Sequence, residues 1–250
     1  MLALLLIAAL APSPLKQVAP GVETAAAADL GGNPGWAARV VLVDPARATF
    51  LVRYDPSRPT LPEWRQKFPR ALAIVNGSFY SLDGPAAAPV RPTCDLVLEG
   101  KPVRGAGCHR QDALFFGAKP RQAVPASLPS SQARLLTPAN FRPEQWQEAL
   151  KSFPALVREG AAACAGAHYC AESSRTAALA QLKDGRIVLF ASQWPAVRRE
   201  VGKWLAEGLG AVEALNLDGG PEASLAVKTE TSDVATPGVG LPMVLVVLPP

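Results

Sequence analysis

The apolar residues of this 250-residue chain fall mostly into short runs bounded by Gly, Pro, Asn or Asp, and this pattern predicts β-strands. Some runs alternate apolar and polar positions, as half-buried strands do, and others are continuously apolar, as fully buried strands are. The segments predicted to form strands are WAARVVLVDP, ATFLVRYDP, ALAIVNGSFY, DLVLEGKPV, DALFFG, RTAALAQLKDGRIVLFAS (a hairpin), VEALNLDGG and PMVLVVLP. We expect the first two to pair with each other across their Pro-containing turn.

Three segments instead predict helices. LPEWRQKFP carries Pro62 and Glu63 where a first helical turn favours them. RPEQWQEALKSFPALV begins with Pro143 and is predicted to be helical until the residues before Pro154. VRREVGKWLAEGLGA has apolar residues at helical spacing and closing glycines. Because strands outnumber helices and short turns join most of them, the predicted fold class is α+β: a single domain of mixed, largely antiparallel sheets packed with a few short helices.

The N-terminal residues differ from the rest, and we divide the chain into 1–20, 21–35 and 36–250. Residues 1–20 open with MLALLLIAALAPSP, whose apolar run of about ten residues is too short to span a bilayer but suits a secretory signal. Its first positive charge is Lys16, so either the signal is atypical or the true start lies elsewhere than at Met1, and a buried N-terminal strand or helix is the alternative. Residues 21–35 predict a flexible lead-in to the domain at 36–250. We therefore expect an exported protein, periplasmic or secreted, with no stable membrane span.

The four cysteines form two pairs that are local in sequence. Cys94 and Cys108 bracket one short stretch, and Cys164 and Cys170 bracket another, CAGAHYC. An even number of cysteines grouped in this way favours two disulfides in an exported chain. The alternative is a metal site, because a histidine lies beside each pair, but neither pair has the Cys-x-x-Cys spacing that zinc sites usually show.

Composition and charge narrow the class of partner. Apolar residues make up 49% of the chain and charged residues 18%, which excludes wholesale disorder. Lys and Arg exceed Asp and Glu only by 25 to 21, and the basic residues are scattered rather than clustered. Nucleic acid is therefore not expected as a partner, because phosphate binding needs clustered positive charge.

Polar residues stand at the ends of three predicted strands. Asn76 follows ALAIV, Asp218 follows EALNL, and Arg175 and Thr176 open the strand TAALAQL. A strand end beside Gly brings the backbone close to ligands, and buried polar groups cost free energy unless they are paired. Taken singly, each is also an ordinary turn residue, and the alternative for Arg175 is a salt bridge to a surface acid. Together, and with Glu222 shortly after Asp218, they indicate a site.

Four stretches, in this order, resemble the phosphodiester glycosidase family: AIVNGSFYSLDG, SFPALVREG, SRTAALAQLKDGRIVLF and LGAVEALNLDGGPEASL. The resemblance extends from about Val40 to Leu248. It implies an α+β glycosidase core that cleaves a sugar-1-phosphate diester on the sugar side. It also implies that Asn76, Arg175 and Asp218 occupy site positions of the family.

The resemblance and the chemistry of glycoside cleavage together suggest roles for these residues. Carboxylates flank an oxocarbenium-like transition state, so Asp218 is the expected nucleophile or base. Glu222, which stands where the family usually continues with a third Gly and Ser or Thr, is one candidate for the second carboxylate, and Asp83, in the loop after Asn76, is another. Arg175 is expected to steady the departing phosphate with bidentate hydrogen bonds, and Asn76 to hold sugar hydroxyls or to orient Asp218. The substrate-binding positions expected around them are Asn76, Gly77, Ser78, Asp83, Thr176, Asn216, Gly219 and Gly220.

The predicted function is that of an exported hydrolase that cleaves the glycosidic bond of a sugar-1-phosphate diester or a related envelope glycan, with no cofactor and no metal. One alternative is a non-catalytic domain that binds envelope glycans on the same scaffold. Another is an enzyme of this scaffold that acts on a different glycosidic or phosphodiester bond. Exposed aromatic side chains along the cleft favour binding, whereas two carboxylates at the spacing that glycosidases use favour catalysis.

Overall fold

The computed structural model describes residues 13–81, 90–108, 112–119, 133–164 and 168–250. The candidate residue Asp83 and residues 1–12 of the signal-like segment lie outside these ranges.

Strands make up most of the regular structure in the described ranges. The strands are β1 (Lys16–Ala19), β2 (Val22–Ala26), β3 (Ala38–Val43), β4 (Thr49–Tyr54), β5 (Ala73–Asn76), β6 (Tyr80–Ser81), β7 (Arg91–Pro92), β8 (Leu96–Leu98), β9 (Lys101–Val103), β10 (Leu114–Ala118), β11 (Ala133–Leu136), β12 (Glu148–Ser152), β13 (Ala155–Arg158), β14 (Ala161–Ala162), β15 (Ser173–Ser174), β16 (Ala177–Leu182), β17 (Ile187–Ser192), β18 (Ala196–Val197), β19 (Ala211–Asn216), β20 (Leu225–Val227) and β21 (Met243–Leu248). The α-helices are α1 (Leu61–Lys67), α2 (His168–Ala171) and α3 (Arg198–Glu207), and short 3₁₀ helices lie at Ala27–Leu30, Pro34–Trp36, Pro143–Gln145 and Gly220–Glu222.

These strands form three main sheets and two small ribbons. The largest sheet has the order β1-β2-β3-β17-β16-β19-β13-β14, the second has the order β11-β10-β12-β8-β9, and the third has the order β20-β5-β21-β4. The ribbons are β15-β18 and β6-β7. Neighbouring strands in the described ranges pair antiparallel. The predicted antiparallel sheets with few short helices are confirmed, although the fold is richer in sheet than the α+β label suggests.

The main core lies where the three large sheets face one another. Leu189 of β17, Leu245 of β21 and Phe116 of β10 belong to one continuous cluster of buried side chains. Because side chains alternate along a strand, the opposite faces of two of these sheets need separate covers. Helix α3 supplies one cover and helix α1 the other, and both helices were predicted from their sequences.

Aromatic side chains hold these two helices in place. On the outer face of the largest sheet, Trp204 of α3 makes ring contacts with Trp36 and Phe190. On the outer face of the β20-β5-β21-β4 sheet, Trp64 of α1 lies buried and donates a hydrogen bond from its indole nitrogen to the Leu241 carbonyl. Burial of such large rings contributes several kcal/mol in total, about 1.5–3 for each fully buried large side chain.

The predicted pairing of the strand before Asp44 with the strand after it is wrong. Strand β3 pairs with β2 and β17, whereas β4 pairs with β21 in a different sheet. The link between β3 and β4 crosses from one sheet to the other, and Ala48 within it is buried in the shared core. The Pro-containing turn therefore joins two layers of the fold instead of closing a hairpin.

The predicted helix that begins at Pro143 is also wrong, because only Pro143–Gln145 is helical and β12 follows. Leu150 is buried in the main core, while Trp146 and Ala149 lie in a cluster on the other face of the sheet. Strand β12 pairs with β10 on one side and β8 on the other. Pairing on both edges thus outweighs the helical propensity of QWQEALK, since propensity is weak against tertiary context.

The predicted flexible lead-in is wrong as well. Strand β2 lies within residues 21–35 and pairs with β3 along its whole length, and two short 3₁₀ helices follow it. Val22 and Thr24 are buried, and the Thr24 hydroxyl donates to the Val40 carbonyl at 2.9 Å. Strand β1, within the segment assigned to the signal, pairs with β2. The domain thus includes residues on the N-terminal side of the predicted boundary at 36.

Both predicted disulfides are present, and they exclude these four sulfurs as metal ligands. Cys94 is bonded to Cys108, and Cys164 is bonded to Cys170. In the part of the chain that the structure describes, no helix is long and apolar enough to cross a membrane.

Candidate active site

The predicted site residues come together where two sheets meet. Asn76 ends β5 of one sheet, whereas Arg175 precedes β16 and Asp218 follows β19 of the other. The Asn76 side-chain amide donates to the Asp218 carbonyl at 2.7 Å, and the Asp218 backbone N–H donates to the Gly77 carbonyl at 3.0 Å. The backbone N–H of Gly220 donates to the Arg175 carbonyl at 2.9 Å. The main chains of all three segments are therefore pinned to one another.

A cavity of about 520 Å³ opens beside this junction, which is a size typical of small-molecule sites. Two carboxylates, Asp218 and Glu222, face it. Residues 79–81 form one wall, and the stretch closed by the Cys94–Cys108 disulfide forms another. The lining residues are Phe79, Tyr80, Ser81, Thr93, Ala106, Gly107, Asp218 and Glu222.

The environment of the Asp218 carboxyl favours its protonated form. Burial raises the pKa of Asp218 to about 7, and the neighbouring charge of Glu222 contributes to the same shift. The backbone N–H of Gly219, which donates to Asp218 Oδ1 at 2.9 Å, and the charge of Arg198 act in the opposite direction. An acid with a pKa near neutrality can give or take a proton under physiological conditions.

Glu222 is held by a short chain of hydrogen bonds. The Tyr80 hydroxyl donates to Glu222 Oε1 at 2.9 Å, and Arg58 Nη2 donates to the Tyr80 oxygen at 3.0 Å. The Arg58 guanidinium also lies 5.1 Å from the centre of the Tyr80 ring. Burial, followed by the hydrogen bond to Glu222, raises the pKa of Tyr80 far above its usual range, so the phenol stays protonated and acts as a donor.

Arg175 has a different environment from the one expected. Its guanidinium donates to the carbonyls of Ala223, at 2.6 Å, and Ser192, at 3.3 Å, and to the Thr236 hydroxyl. Burial lowers the pKa of Arg175, and its partners are neutral oxygens rather than a carboxylate. Arg175 is not among the described residues that line the cavity. In this arrangement the side chain fastens the loop that carries Glu222 to the end of β17.

The other predicted polar positions are buried and largely occupied by internal hydrogen bonds. The Asn76 Oδ1 accepts from the Ser224 backbone N–H at 3.0 Å, so both ends of this amide are used. The Thr176 backbone N–H donates to Ser192 Oγ at 2.9 Å. The Asn216 side-chain amide donates to the carbonyls of Leu217 and of the residue before Pro154. Ser78 is buried, and its hydroxyl has no hydrogen-bond partner among the described residues.

The glycines of the site are required by close contacts and by backbone conformation. A Cβ at Gly219 would lie 2.8 Å from the Arg175 carbonyl oxygen, and a Cβ at Gly77 would lie 2.5 Å from Met243 Cγ. Gly220 has a φ of +64°, which favours glycine. These positions allow Asp218 to sit in a tight crossing between two sheets.

Sequence reasoning missed Tyr80, Arg58 and Arg198. Tyr80 stands directly after NGSF, and its closeness to Asn76 along the chain was the available signal. Arg58 and Arg198 lie in segments with no motif, at a loop before α1 and at the first residue of α3. Their contribution depends on the fold, because the charge of Arg198 reaches Asp218 and Arg58 reaches Glu222 through Tyr80.

No group of three or more metal-ligating side chains that could hold an ion occurs within the described ranges.

Comparison with known proteins identifies the fold. A family model described as phosphodiester glycosidase matches residues 69–247. The zebrafish N-acetylglucosamine-1-phosphodiester alpha-N-acetylglucosaminidase catalytic domain, auto-inhibited by its pro-peptide, is 17% identical with a TM-score of 0.59, and the match covers 85% of this chain and 77% of that one.

Two further solved structures are also similar to this chain. A putative exported protein from Burkholderia pseudomallei K96243 is 15% identical with a TM-score of 0.60, and the match covers 85% of this chain and 74% of that one. A hypothetical protein from Synechocystis is 15% identical with a TM-score of 0.54, over 85% of this chain and 59% of that one. The search of curated proteins found no match. At these identities the structural likeness shows the shared fold alone.

Proposed function

This chain belongs to the phosphodiester glycosidase family, and we propose that it hydrolyses the glycosidic bond of a sugar-1-phosphate diester or a related envelope glycan. The observation that carries the proposal is the pair of carboxylates, Asp218 and Glu222, that faces one cavity of about 520 Å³. Glycosidases use two such groups, one to protonate the leaving oxygen and one to act at the anomeric carbon.

We assign the proton-donating role to Asp218. Its pKa of about 7 leaves it substantially protonated at neutral pH, so it can donate a hydrogen bond, and then a proton, to the oxygen that departs with the phosphate. A protonated Asp218 also reduces the repulsion that two ionised carboxylates would exert on an anionic substrate. This assignment replaces the expected role of Asp218 as nucleophile or base.

Glu222 then acts on the other side of the bond. As a carboxylate it takes the proton of the attacking water while the bond between the anomeric carbon and the bridging oxygen breaks. The products are the free sugar, which gains the water oxygen at its anomeric carbon, and a phosphate monoester, which keeps the bridging oxygen. Arg175 supports this arrangement indirectly, because it holds the Ala223 carbonyl next to Glu222.

The test is hydrolysis in ¹⁸O-labelled water of a panel of methyl diesters of sugar 1-phosphates that differ in the sugar. Mass spectrometry should find the label in the sugar and none in the phosphate. Asp218→Asn and Glu222→Gln should each abolish most of the turnover, which excludes a contaminating hydrolase. Label in the phosphate would contradict the reaction, and tight binding of the diesters without turnover would favour the glycan-binding alternative.

We also propose that the protein is exported. Two disulfides among four cysteines are typical of oxidising compartments, and one structural neighbour is described as a putative exported protein. Fractionation of cells that express the full chain, with thiol alkylation before lysis, tests this. Export predicts that the protein leaves the cytoplasm with no alkylated cysteine, and a cytoplasmic protein with four alkylated cysteines would contradict it.

A further inference from the structure

Glu222 is held in the cavity by two residues to which the proposed reaction gives no role. Tyr80 donates to Glu222 Oε1 at 2.9 Å, and Arg58 donates to the Tyr80 oxygen at 3.0 Å. These contacts join the loop before α1, strand β6 and the 3₁₀ helix after β19. Two segments that are distant in sequence from Glu222 thus converge on its carboxylate.

We infer that Tyr80, backed by Arg58, is the positioning residue that holds the Glu222 carboxylate in the cavity for its role as the base of the proposed reaction. The inference rests on the proposed function in that the two carboxylates must perform different tasks. Its basis is the hydrogen-bond chain and the shared cavity, which exist whatever the substrate is.

The hydrogen bonds around the two carboxylates are unequal. A phenol donor supported by a guanidinium stabilises the charged form of Glu222, because hydrogen bonds to an ionised acceptor are the stronger kind. Asp218 accepts one backbone N–H, that of Gly219, and is otherwise placed where burial disfavours its charge. The two carboxylates therefore differ in what holds them: side chains from distant segments hold Glu222, and the adjacent backbone holds Asp218.

The surrounding charges support the same division. Arg198 is the cation that acts on Asp218, while Arg58 acts on Tyr80 and, through it, on Glu222. Asp218 and Glu222 also act on Tyr80, and both keep its phenol protonated. Arg198 is partly neutralised by Glu172, whose Oε2 lies 3.6 Å from its Nη1.

The backbone conformation of Arg58 and the position of Tyr80 indicate that the fold holds these two residues in contact. Arg58 has a φ of +57°, a conformation that residues other than glycine seldom adopt. Its Nε atom is buried with no hydrogen-bond partner among the described residues. The guanidinium thus donates to Tyr80 through Nη2 while its Nε–H stays without a partner there. Tyr80 is fixed by the pairing of β6 with β7, where it lies opposite Pro92.

The test compares pH profiles of kcat/KM for the wild type, Tyr80→Phe and Arg58→Gln. Loss of the phenol donor should lower kcat/KM and move the acidic limb of the profile to higher pH, since the carboxylate loses a hydrogen bond that favours its charged form. Arg58→Gln should move it in the same direction by less. The matched control is Tyr54→Phe, which also loses a half-buried tyrosine hydroxyl, but one that donates to the Val90 carbonyl. Tyr54→Phe should leave both limbs in place.

A second readout needs no turnover. With ¹³C-labelled glutamate carboxyls, the NMR signal that disappears in Glu222→Gln should change its chemical shift in Tyr80→Phe and keep it in Tyr54→Phe, because Tyr80 donates a hydrogen bond to this carboxylate. If this shift occurs in a protein that hydrolyses none of the diesters, the inference stands and the proposed function fails. If the wild type hydrolyses a diester and neither the NMR signal nor the acidic limb moves in Tyr80→Phe, the inference is overturned.

Discussion

Replacement of Asp218 by Asn should both reduce activity and, near neutral pH and above, raise the free energy of unfolding. The variant keeps the shape of the side chain, and its Oδ1 can still accept the hydrogen bond from the Gly219 backbone N–H. It cannot donate a proton as an acid, so we expect kcat/KM to fall by about a hundredfold or more. The stability gain follows from the environment that makes Asp218 reactive, because burial there disfavours the ionised form.

The size and pH range of the gain follow from the pKa of Asp218. Burial raises this pKa from its ordinary value of 3.8 to about 7 in the folded protein. The folded state therefore holds the proton of Asp218 more tightly than the unfolded state. The stabilisation that this proton gives to the folded state is fully present below pH 3.8 and is lost as the pH rises to about 7. At about 1.4 kcal/mol for each pKa unit, the wild type loses at most about 4 kcal/mol over this range. The Asp218→Asn variant has no titrating group at this position, so its free energy of unfolding does not change for this reason.

The assay is urea unfolding of both proteins at about pH 4 and about pH 8, on either side of the titration. The free energy of unfolding of Asp218→Asn minus that of the wild type should increase between these two values by about 2–4 kcal/mol. The difference between the proteins cancels the titration of all groups that they share. A difference that is flat with pH would refute the argument that burial raises the pKa of Asp218, and a variant that fails to fold would assign Asp218 to the turn alone.

Three further changes test the surroundings of the pair. Arg175→Gln should lower the thermal midpoint by several degrees, since it removes hydrogen bonds worth about 1–3 kcal/mol; an unchanged midpoint with a raised KM would instead support phosphate binding by Arg175. Gly219→Ala should reduce kcat/KM at least about tenfold, because its Cβ would lie 2.8 Å from the Arg175 carbonyl oxygen. Its circular dichroism spectrum should remain that of a folded protein, and full activity would contradict this close packing. The pair Cys94→Ser and Cys108→Ser should lower the free energy of unfolding by up to about 3 kcal/mol in urea titrations and raise KM; the same replacement in the second disulfide should affect stability but not KM.

Elements whose pattern is local were predictable, and elements decided by partners far along the chain were not. Helix α1 has a Thr60 and Glu63 capping box, and α3 has its apolar side chains on one face, so sequence alone indicated both. Strand β12 has the composition of a helix and is a strand only because two others lie beside it. The prediction that β3 pairs with β4 is wrong for the same reason, because proximity in sequence does not reveal that the two strands belong to different sheets that share one core.

The site divides in the same way. The ends of the strands indicated Asn76 and Asp218, since a buried strand that closes in Asn-Gly or Asp-Gly needs partners for its polar groups. The resemblance to a family added the expected role of Arg175, but it could not reveal that the guanidinium binds carbonyls and not open solvent or a ligand. Tyr80 and Arg58 become relevant only through the position of Glu222, which no periodicity or spacing encodes.

The two roles of Asp218, as a turn residue and as an acid, are compatible because they use different atoms. Its backbone carbonyl accepts from Asn76 and its backbone N–H donates to Gly77, so the main chain joins the two sheets. The side chain takes no part in that junction and faces the cavity together with Glu222. Because the structural task lies on the backbone, the two sheets stay joined even though the environment of the carboxyl disfavours its charge and lowers stability as the pH rises. The same division explains why substitution of the side chain is expected to abolish turnover while leaving the sheets joined.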